Sequence, residues 1–375
     1  MIEERGIRLD IDLEDEPDKD SEVFYNDDQQ LNRDVSVAAL QAFTDRHDLD
    51  VNVLDAFGGT GIRGLRYRRE VSGLEAVTVN DINPSAADNV RRNMELNGLS
   101  DIEVTEQDAN LLMTDRRKRY EYIDIDPFGS PADYADSAAR CISHEGVVGV
   151  TATDLGTLCG SYRKTCKRRY ASWSLNTSYC HEIGLRVLLK FLFETFARFD
   201  KVFRPKVVFA QKHYYRVLGE VQESKKGVNR SLDQVGYLRH CDDCGYRSLE
   251  EEPVHGDCPE CGSHLHLLGP LWIGKLGRRD FLADVRDDLD EREYDDAAEL
   301  VEMLHGECLL KTPYYDTHQI AGSIGLPVPT KQELLDELHD IGYNAAPTHF
   351  SPMGIRTNAP IEDLKDVIRD LKGGE

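Results

Sequence analysis

Two short stretches carry residue types that could do chemistry. Residues 124–129 read DIDPFG and residues 59–64 read GTGIRG. In the first, Asp126 is a carboxylate at the end of an alternating apolar run, followed by the rigid Pro127 and the phenyl ring of Phe128. A carboxylate there can hold the N–H groups of a planar amine, proline fixes the direction of the backbone, and an aromatic ring stacks on a flat base. Asp, Pro and Gly are also ordinary turn residues, so this stretch takes its meaning from what surrounds it. In the second, Gly59, Gly61 and Gly64 permit a tight turn and let a ligand approach the start of a helix, with Arg63 between them.

The glycine loop alone is compatible with an NAD dehydrogenase or with a nucleoside-cofactor methyltransferase. Asp81 ends the next apolar run, about twenty residues on, where a carboxylate accepts from both ribose hydroxyls. Two further positions separate the readings. Asp55 stands just ahead of the glycines, where an acid supports the methionine end of S-adenosylmethionine (SAM). Asp108-Ala109 ends the third run, where a carboxylate and the next backbone N–H reach adenine. An NAD enzyme needs no such third position. Several methyltransferases that act on exocyclic base amines carry Asp or Asn, then Pro, then an aromatic at the end of the fourth strand. The lone pair of such an amine is delocalised into the ring, and an acceptor carboxylate helps aim it at an electrophile.

A second constellation is metal-like. Cys241-x-x-Cys244-Gly and Cys258-x-x-Cys261-Gly are separated by thirteen residues. Four thiolates at this spacing form a closed tetrahedral Zn2+ site, which is structural rather than catalytic. His255, His264 and His266 are alternative ligands nearby. Cys141, Cys159, Cys166, Cys180 and Cys308 read as ordinary buried or partly buried thiols. The pattern is no secreted disulfide framework.

The elements that must position these residues follow from periodicity. VNVLD, EAVTVND, DIEVT and YEYIDID read as strands, each followed by a helical stretch, and GVVGVTATD reads as a fifth strand. This alternation predicts a doubly wound parallel sheet. Helical spacing runs from Leu31 to about Thr44 ahead of the first strand, and again over 178–198; two β-rich runs occupy about 201–221. The polar stretch 222–231 suggests a boundary, giving domains 1–225 and 226–375, with the zinc segment at about 238–268. The expected architecture is α/β, Rossmann-like, with a smaller C-terminal α+β domain carrying a zinc ribbon.

The chain has 375 residues, is 40% hydrophobic and has a net charge of −24. Only 15 of its 45 basic residues are lysine, and acids are spread throughout. This resembles proteins of a salt-saturated cytoplasm, as in a halophilic archaeon, where the Debye length falls to ~3 Å and local patches outweigh the global field. The apolar runs are too short to span a bilayer, and the acidic start has no signal-peptide layout; a cytoplasmic location is expected. SYRKTCKRRY, residues 161–170, has five basic residues and no acid, which makes it a candidate phosphate-contacting patch; Lys275, Arg278 and Arg279 form a weaker one.

VFYN…LNRD, DAFGGTGIRGLR, NDINPSAADNVRRNMELN, DAN, DIDPFGSP and the C-terminal THFSPMGIRTNAP, in that order, resemble the Trm1 family of tRNA guanine(26)-N(2)-dimethyltransferases over nearly the whole chain. The resemblance implies a class I methyltransferase fold, SAM as methyl donor and tRNA as partner, with one or two methyls added to the 2-amino group of guanine 26. It implies that Arg33 and Arg63 help hold SAM, Arg33 near its carboxylate. Asp81 takes the ribose, Asp108 and Ala109 the adenine, and Asp126 is the catalytic carboxylate. Phe24 and Phe128 sandwich the guanine. It also implies that His349 and Arg356 contact tRNA, in a stretch that sequence chemistry alone reads as a loop. No membrane and no protein partner are expected. The alternatives are a SAM-dependent enzyme acting on an adenine or cytosine amine, a dehydrogenase, and a non-catalytic zinc-ribbon tRNA-binding protein.

Overall fold

The computed structural model of the chain describes residues 1–11, 25–47, 50–115 and 119–373. Its centre is a seven-stranded sheet. The strands are β1 (Val51–Asp55), β2 (Leu74–Asn80), β3 (Ile102–Thr105), β4 (Tyr120–Ile125), β5 (Ile142–Ala152), β6 (Lys201–Gln211) and β7 (Tyr214–Glu223), in the spatial order β3-β2-β1-β4-β5-β7-β6. The first five pair in parallel, and β7 joins β5 antiparallel as part of the β6–β7 hairpin. The central strands are buried on both faces, as their Val- and Ile-rich runs require. The fifth strand begins at Ile142, four residues before the apolar run from which it is predicted.

The helices on the two faces are α1 (Gln30–Arg46), α2 (Ile62–Glu70), α3 (Pro84–Asn97), α4 (Ala109–Thr114), α5 (Ala135–Cys141), α6 (Arg163–Tyr170) and α7 (Cys180–Ala197). Local chemistry sets their ends. Asn83 caps α3 by accepting from the Ser85 N–H, Pro84 occupies its first turn, and Gly98 at φ 65° closes it. The strand order reverses between β1 and β4, so the loops after these strands face one another across the crevice where an open α/β sheet binds ligands.

One glycine is fixed by this packing. A Cβ on Gly64 would stand 2.2 Å from Cγ2 of Val79 on β2. Gly64→Ala is therefore expected to cost about 1–3 kcal/mol, read as a lower urea midpoint. Gly306→Ala is the control: nothing lies within 4 Å of its Cβ, so its midpoint should hold or rise. Equal behaviour of the two variants would refute this account of close helix–strand approach.

After the sheet come β8 (Val235–His240), β9 (Arg247–Glu250) and β10 (His266–Trp272), an antiparallel set in the order β9-β8-β10. Helices α8 (Arg279–Glu291) and α9 (Asp295–Glu307) then return to pack on α1. The last segment pairs β11 (Tyr315–Asp316), β12 (Ala345–Pro347) and β13 (Gly354–Thr357), with helices α10 (Thr317–Ser323), α11 (Lys331–Asp340) and α12 (Ile361–Lys372). This segment has a core of its own, including Leu334, Leu338, Ile355, Leu364 and Ile368. Across the 225/226 boundary expected from sequence, the packing is continuous: Phe281, Leu282, Val285 and Val301 share a core with Val35, Leu40 and Phe43 of α1. Trp272 of β10 packs on Phe193 of α7, at 5.6 Å between ring centroids.

Candidate functional site

The loops after β1 and β4, the start of α1 and His213 enclose an open cavity of about 460 Å³. Its lining includes Arg33, Gly59, Arg63, Asp126, Pro127 and Phe128. The glycine loop is tied to the next strand, because the Gly58 N–H donates to the Asn80 carbonyl at 2.7 Å and the Gly59 N–H to the Asp81 carboxylate at 2.9 Å. Gly59 and Gly61 have φ of 53° and 81°, the region that favours glycine. The second loop is clamped to the end of β5: the Gly129 N–H donates to Thr153 Oγ1, and the Thr153 N–H to the Gly129 carbonyl, both at 2.8 Å.

Asp126 points into this cavity with 14% of its side chain exposed and is ion-paired to Arg63. Behind it lies a charge relay that the sequence reading missed. Arg63 Nε is 3.7 Å from Asp124, and its Nη1 donates to Asn32 and Ser36 at 3.2 and 3.3 Å. Asp124 is fully buried and accepts from Arg216 at 2.9 and 2.6 Å and from the Tyr67 hydroxyl at 2.7 Å. Burial alone would push the Asp124 carboxyl up, but Arg216 and Arg63 hold it well below the usual range. Burial pulls the Arg63 guanidinium down, but Asp124 and Asp126 outweigh this and hold it above its ordinary value. Arg216 fits because Gly149 faces it; a Cβ there would stand 2.7 Å from its Nη2. A signal was available: alternation puts Asp124 and Asp126 on one face of a buried strand, and a buried carboxylate needs a cation.

Other expected site residues fall in different places. Asp55 accepts from the Gly64 and Phe57 N–H groups at 3.1 and 3.4 Å, and burial pushes it up to about 7 against the pull of Arg63. It braces the glycine loop from below. Arg33 lines the cavity while Glu4, from the N-terminal hairpin formed by Ile2–Glu4 and Ile7–Leu9, accepts from it at 2.8 and 2.5 Å. Asp81 accepts from the Gly59 and Asn83 N–H groups, and Asp108 caps α4 by accepting from the Leu111 N–H at 3.1 Å; Ala109 is buried next to it. Asp55, Asp81, Asp108 and Ala109 do not line the cavity, which lies at the Arg63 and Asp126 end. The ring of Phe128 is 54% exposed at the cavity mouth. Phe24 lies outside the described residues.

Two expected tRNA contacts need correction. Arg356 is fully buried, donating to Glu182 at 2.7 Å and to Glu307 at 3.2 and 3.3 Å. The His349 side chain is 2% exposed and pairs with Glu307. Neither reaches a phosphate. The stretch read as a loop forms β12 and β13, because its charges close a buried network that sequence spacing does not reveal.

The four cysteines converge. Two equivalent knuckles form as the Gly245 N–H donates to the Cys241 carbonyl at 3.1 Å and the Gly262 N–H to the Cys258 carbonyl at 2.9 Å, with φ of 79° and 77° at the glycines. All four sulfurs lie within 4.8 Å of one another, with Cys241–Cys261 and Cys244–Cys258 at 3.5 Å. Tetrahedral thiolates ~2.3 Å from a zinc ion stand about 3.8 Å apart, so the donor set fits Zn2+. His266 is held by Asp242 at 2.8 Å instead, and His264 by Asp257 at 3.9 Å. Removing the metal with a chelator is expected to open residues 241–265 to protease while the seven-stranded sheet stays resistant. Unchanged resistance of the ribbon after metal removal would count against the assignment.

A sheet ordered 3-2-1-4-5-7-6, with a glycine loop after its first strand and an Asp-Pro-Phe turn after its fourth, defines a class I SAM-dependent methyltransferase fold. The family model for N2,N2-dimethylguanosine tRNA methyltransferase matches residues 9–369. The chain belongs to this family. It is 36% identical to the tRNA (guanine(26)-N(2))-dimethyltransferase of Methanobrevibacter smithii over 99% of this chain and 97% of that one. It is 37% identical to the Methanosarcina barkeri enzyme of the same name, over 95% and 93%. Trm1 from Pyrococcus horikoshii, solved with S-adenosyl-L-methionine, superposes with a TM-score of 0.84 at 32% identity, covering 94% of this chain and 96% of that one.

Proposed function

We infer that this chain is a tRNA (guanine(26)-N(2))-dimethyltransferase that uses SAM. The observation that carries the reading is the convergence of Asp126, Pro127 and Phe128 with the glycine loop around one cavity. SAM, when bound, supplies a methyl group on a positively charged sulfur. Gly59, Gly61, Arg33 and Arg63 would face its methionine end, with Asp55 bracing the loop beneath them. Asp81 would face the ribose, and Asp108 with Ala109 the adenine, continuing beyond the described cavity.

The chain's own residues do the positioning. Asp126 accepts one N–H of the guanine 2-amino group and draws its nitrogen toward tetrahedral geometry. Pro127 fixes the backbone carbonyl that takes the second N–H. Arg63, ion-paired to Asp126, aims its carboxylate, so Asp126 acts as acceptor while the lone pair turns to the donor. The proton leaves afterwards to Asp126 or through it to water. Phe128 stacks on the base, and Phe24 is assigned to the other face. Because Phe128 is 54% exposed, Phe128→Ala should fold normally and raise KM for tRNA about tenfold, in line with stacking worth ~1–3 kcal/mol. Unchanged KM would remove the ring from the base site.

For tRNA, the exposed Arg163, Lys164, Lys167 and Arg168 of α6 support a phosphate-contacting face. The helix is joined to the catalytic turn, since the Tyr170 hydroxyl meets Ser130 Oγ at 2.7 Å and donates to Asp154 at 2.9 Å. Arg169 is spent on Asp154, and Arg278 and Arg279 are engaged by Asp280 and His305, which weakens the second patch. We assign residues 226–375, with the ribbon, to tRNA contact as well. The acid-rich composition suits a salt-rich cytoplasm; among the described residues no helix is long and apolar enough to cross a membrane.

Radiolabelled SAM with undermodified tRNA tests the reading. Label is expected on guanine 26, as mono- and dimethylguanosine. Label on adenine or cytosine, or tRNA binding without label, would overturn it.

A further inference from the structure

Outside the cavity and the ribbon, the structure brings three more soft donors together. Cys159 follows the short helix Leu155–Leu158, and Cys180 and His181 open α7. Cys159 Sγ is 3.5 Å from His181 Nδ1, and both sulfurs and a ring nitrogen of His181 lie within 4.8 Å of one another, the same bound that holds for the four ribbon sulfurs. Tyr215 of β7, opposite Ala152, places its hydroxyl 3.0 Å from Cys159 Sγ and 3.3 Å from His181 Nδ1. We propose that Cys159, Cys180 and His181 form a second metal site, for Zn2+, with Tyr215 Oη or a water in the fourth position.

Three observations carry this. First, ligand bonds of ~2.3 Å to sulfur and ~2.0–2.1 Å to nitrogen put tetrahedral S and N donors about 3.5–3.6 Å apart, which is the spacing seen between Cys159 and His181. Second, the donors come from two elements more than twenty residues apart in sequence, and Cys159 is buried while Cys180 is partly exposed, with His181 at the solvent-facing edge. A cation can enter from that edge. Third, two thiolates and a neutral imidazole balance the charge of a divalent ion, so occupancy brings no net charge into a partly buried spot. Soft thiolates with imidazole select Zn2+ over hard cations such as Mg2+.

The location gives the site a role. Thr153 lines the cavity and clamps Gly129, while Asp154 holds Tyr170 and through it Ser130. An ion on Cys159 and α7 would pin the segment 153–160, and with it one wall of the catalytic turn. The site differs from the ribbon, which has all four positions taken by sulfur.

The test is a metal count. Full-length protein is equilibrated with Zn2+, passed through a gel-filtration column and analysed by mass spectrometry of the metal. Two zinc ions per chain are expected, falling to one in Cys159→Ser/Cys180→Ser and in His181→Ala, with the ribbon still protease-resistant. One zinc per chain in the unsubstituted protein, or two retained in both variants, would overturn the proposal, as would a Cys159–Cys180 disulfide seen as two missing thiols. If the variants fail to fold, Co2+ titration of the intact zinc-free chain decides. Two equivalents should bind, one with the spectrum of four-sulfur ligation and one with that of mixed sulfur and nitrogen; a single equivalent refutes the second site.

Discussion

Asp126→Ala should lower methyl transfer to tRNA by about 10²–10⁴-fold while the affinity for SAM changes by less than about tenfold. The split follows from where the side chain lies. Asp126 lines the cavity beside Phe128, whereas the glycine loop and the Asp55 brace stay whole when the carboxylate is removed. Arg63 is the complication. It loses an ion pair but keeps Asp124 at 3.7 Å and its bonds to Asn32 and Ser36 at 3.2 and 3.3 Å, so its charge is not left bare. A modest fall in unfolding temperature is expected with a large fall in turnover. Asp126→Asn keeps the shape and one acceptor but not the charge, and should fall between the two. The measurement is single-turnover transfer with saturating tRNA, alongside SAM binding by calorimetry. Parallel loss of transfer and SAM affinity would show that Asp126 merely holds the turn together.

Much of this site was legible in the sequence because its parts are local. A glycine loop, a strand-end acid and an Asp-Pro-Phe turn each announce themselves within a few residues, and the strand–helix alternation orders them. The cysteine pairs are local too, and the four sulfurs meet as their spacing implied. What stayed hidden is the long-range charge. Arg216 reaches Asp124 from a strand over ninety residues away, and Glu4 reaches both Arg33 and Arg66 from the N-terminal hairpin. Nothing in a run such as YYRVLGEV tells that its arginine points inward, because β7 is paired with the rest of the sheet on grounds of topology and not of pattern. The same holds for Cys159 and Cys180, which look idle in sequence and meet only in the fold. Continuity of packing across residue 225 was likewise invisible, since α8 and α9 find their partner in α1.

The C-terminal stretch makes the sharpest contrast between the two kinds of reading, and Arg356→Ala separates them. Resemblance assigned this arginine to tRNA; its surroundings make it a keystone. Besides Glu182 and Glu307 it holds the Thr312 carbonyl at 2.9 Å. Glu182 also accepts from Arg186 and from the Tyr314 N–H, and Glu307 from the Thr348 hydroxyl at 2.6 Å. These contacts join α7, α9, β13 and the segment between α9 and β11. Removing one partner of a buried charge pair costs about 3–5 kcal/mol, because the other is left uncompensated. The variant should therefore show a much lower urea midpoint at pH 7. The pH dependence identifies the cause. Burial opposes ionisation of Glu307, but His349 and Arg356 bring its carboxyl down to about 2, below the ordinary 4.5. A carboxyl depressed in the folded state stabilises the fold above its ordinary value, and that stability is lost as pH falls from 4.5 toward 2. The gap between Arg356→Ala and the unsubstituted chain should accordingly narrow on acidification. A variant with an unchanged midpoint but weakened tRNA binding would reverse the conclusion and return Arg356 to the nucleic-acid surface.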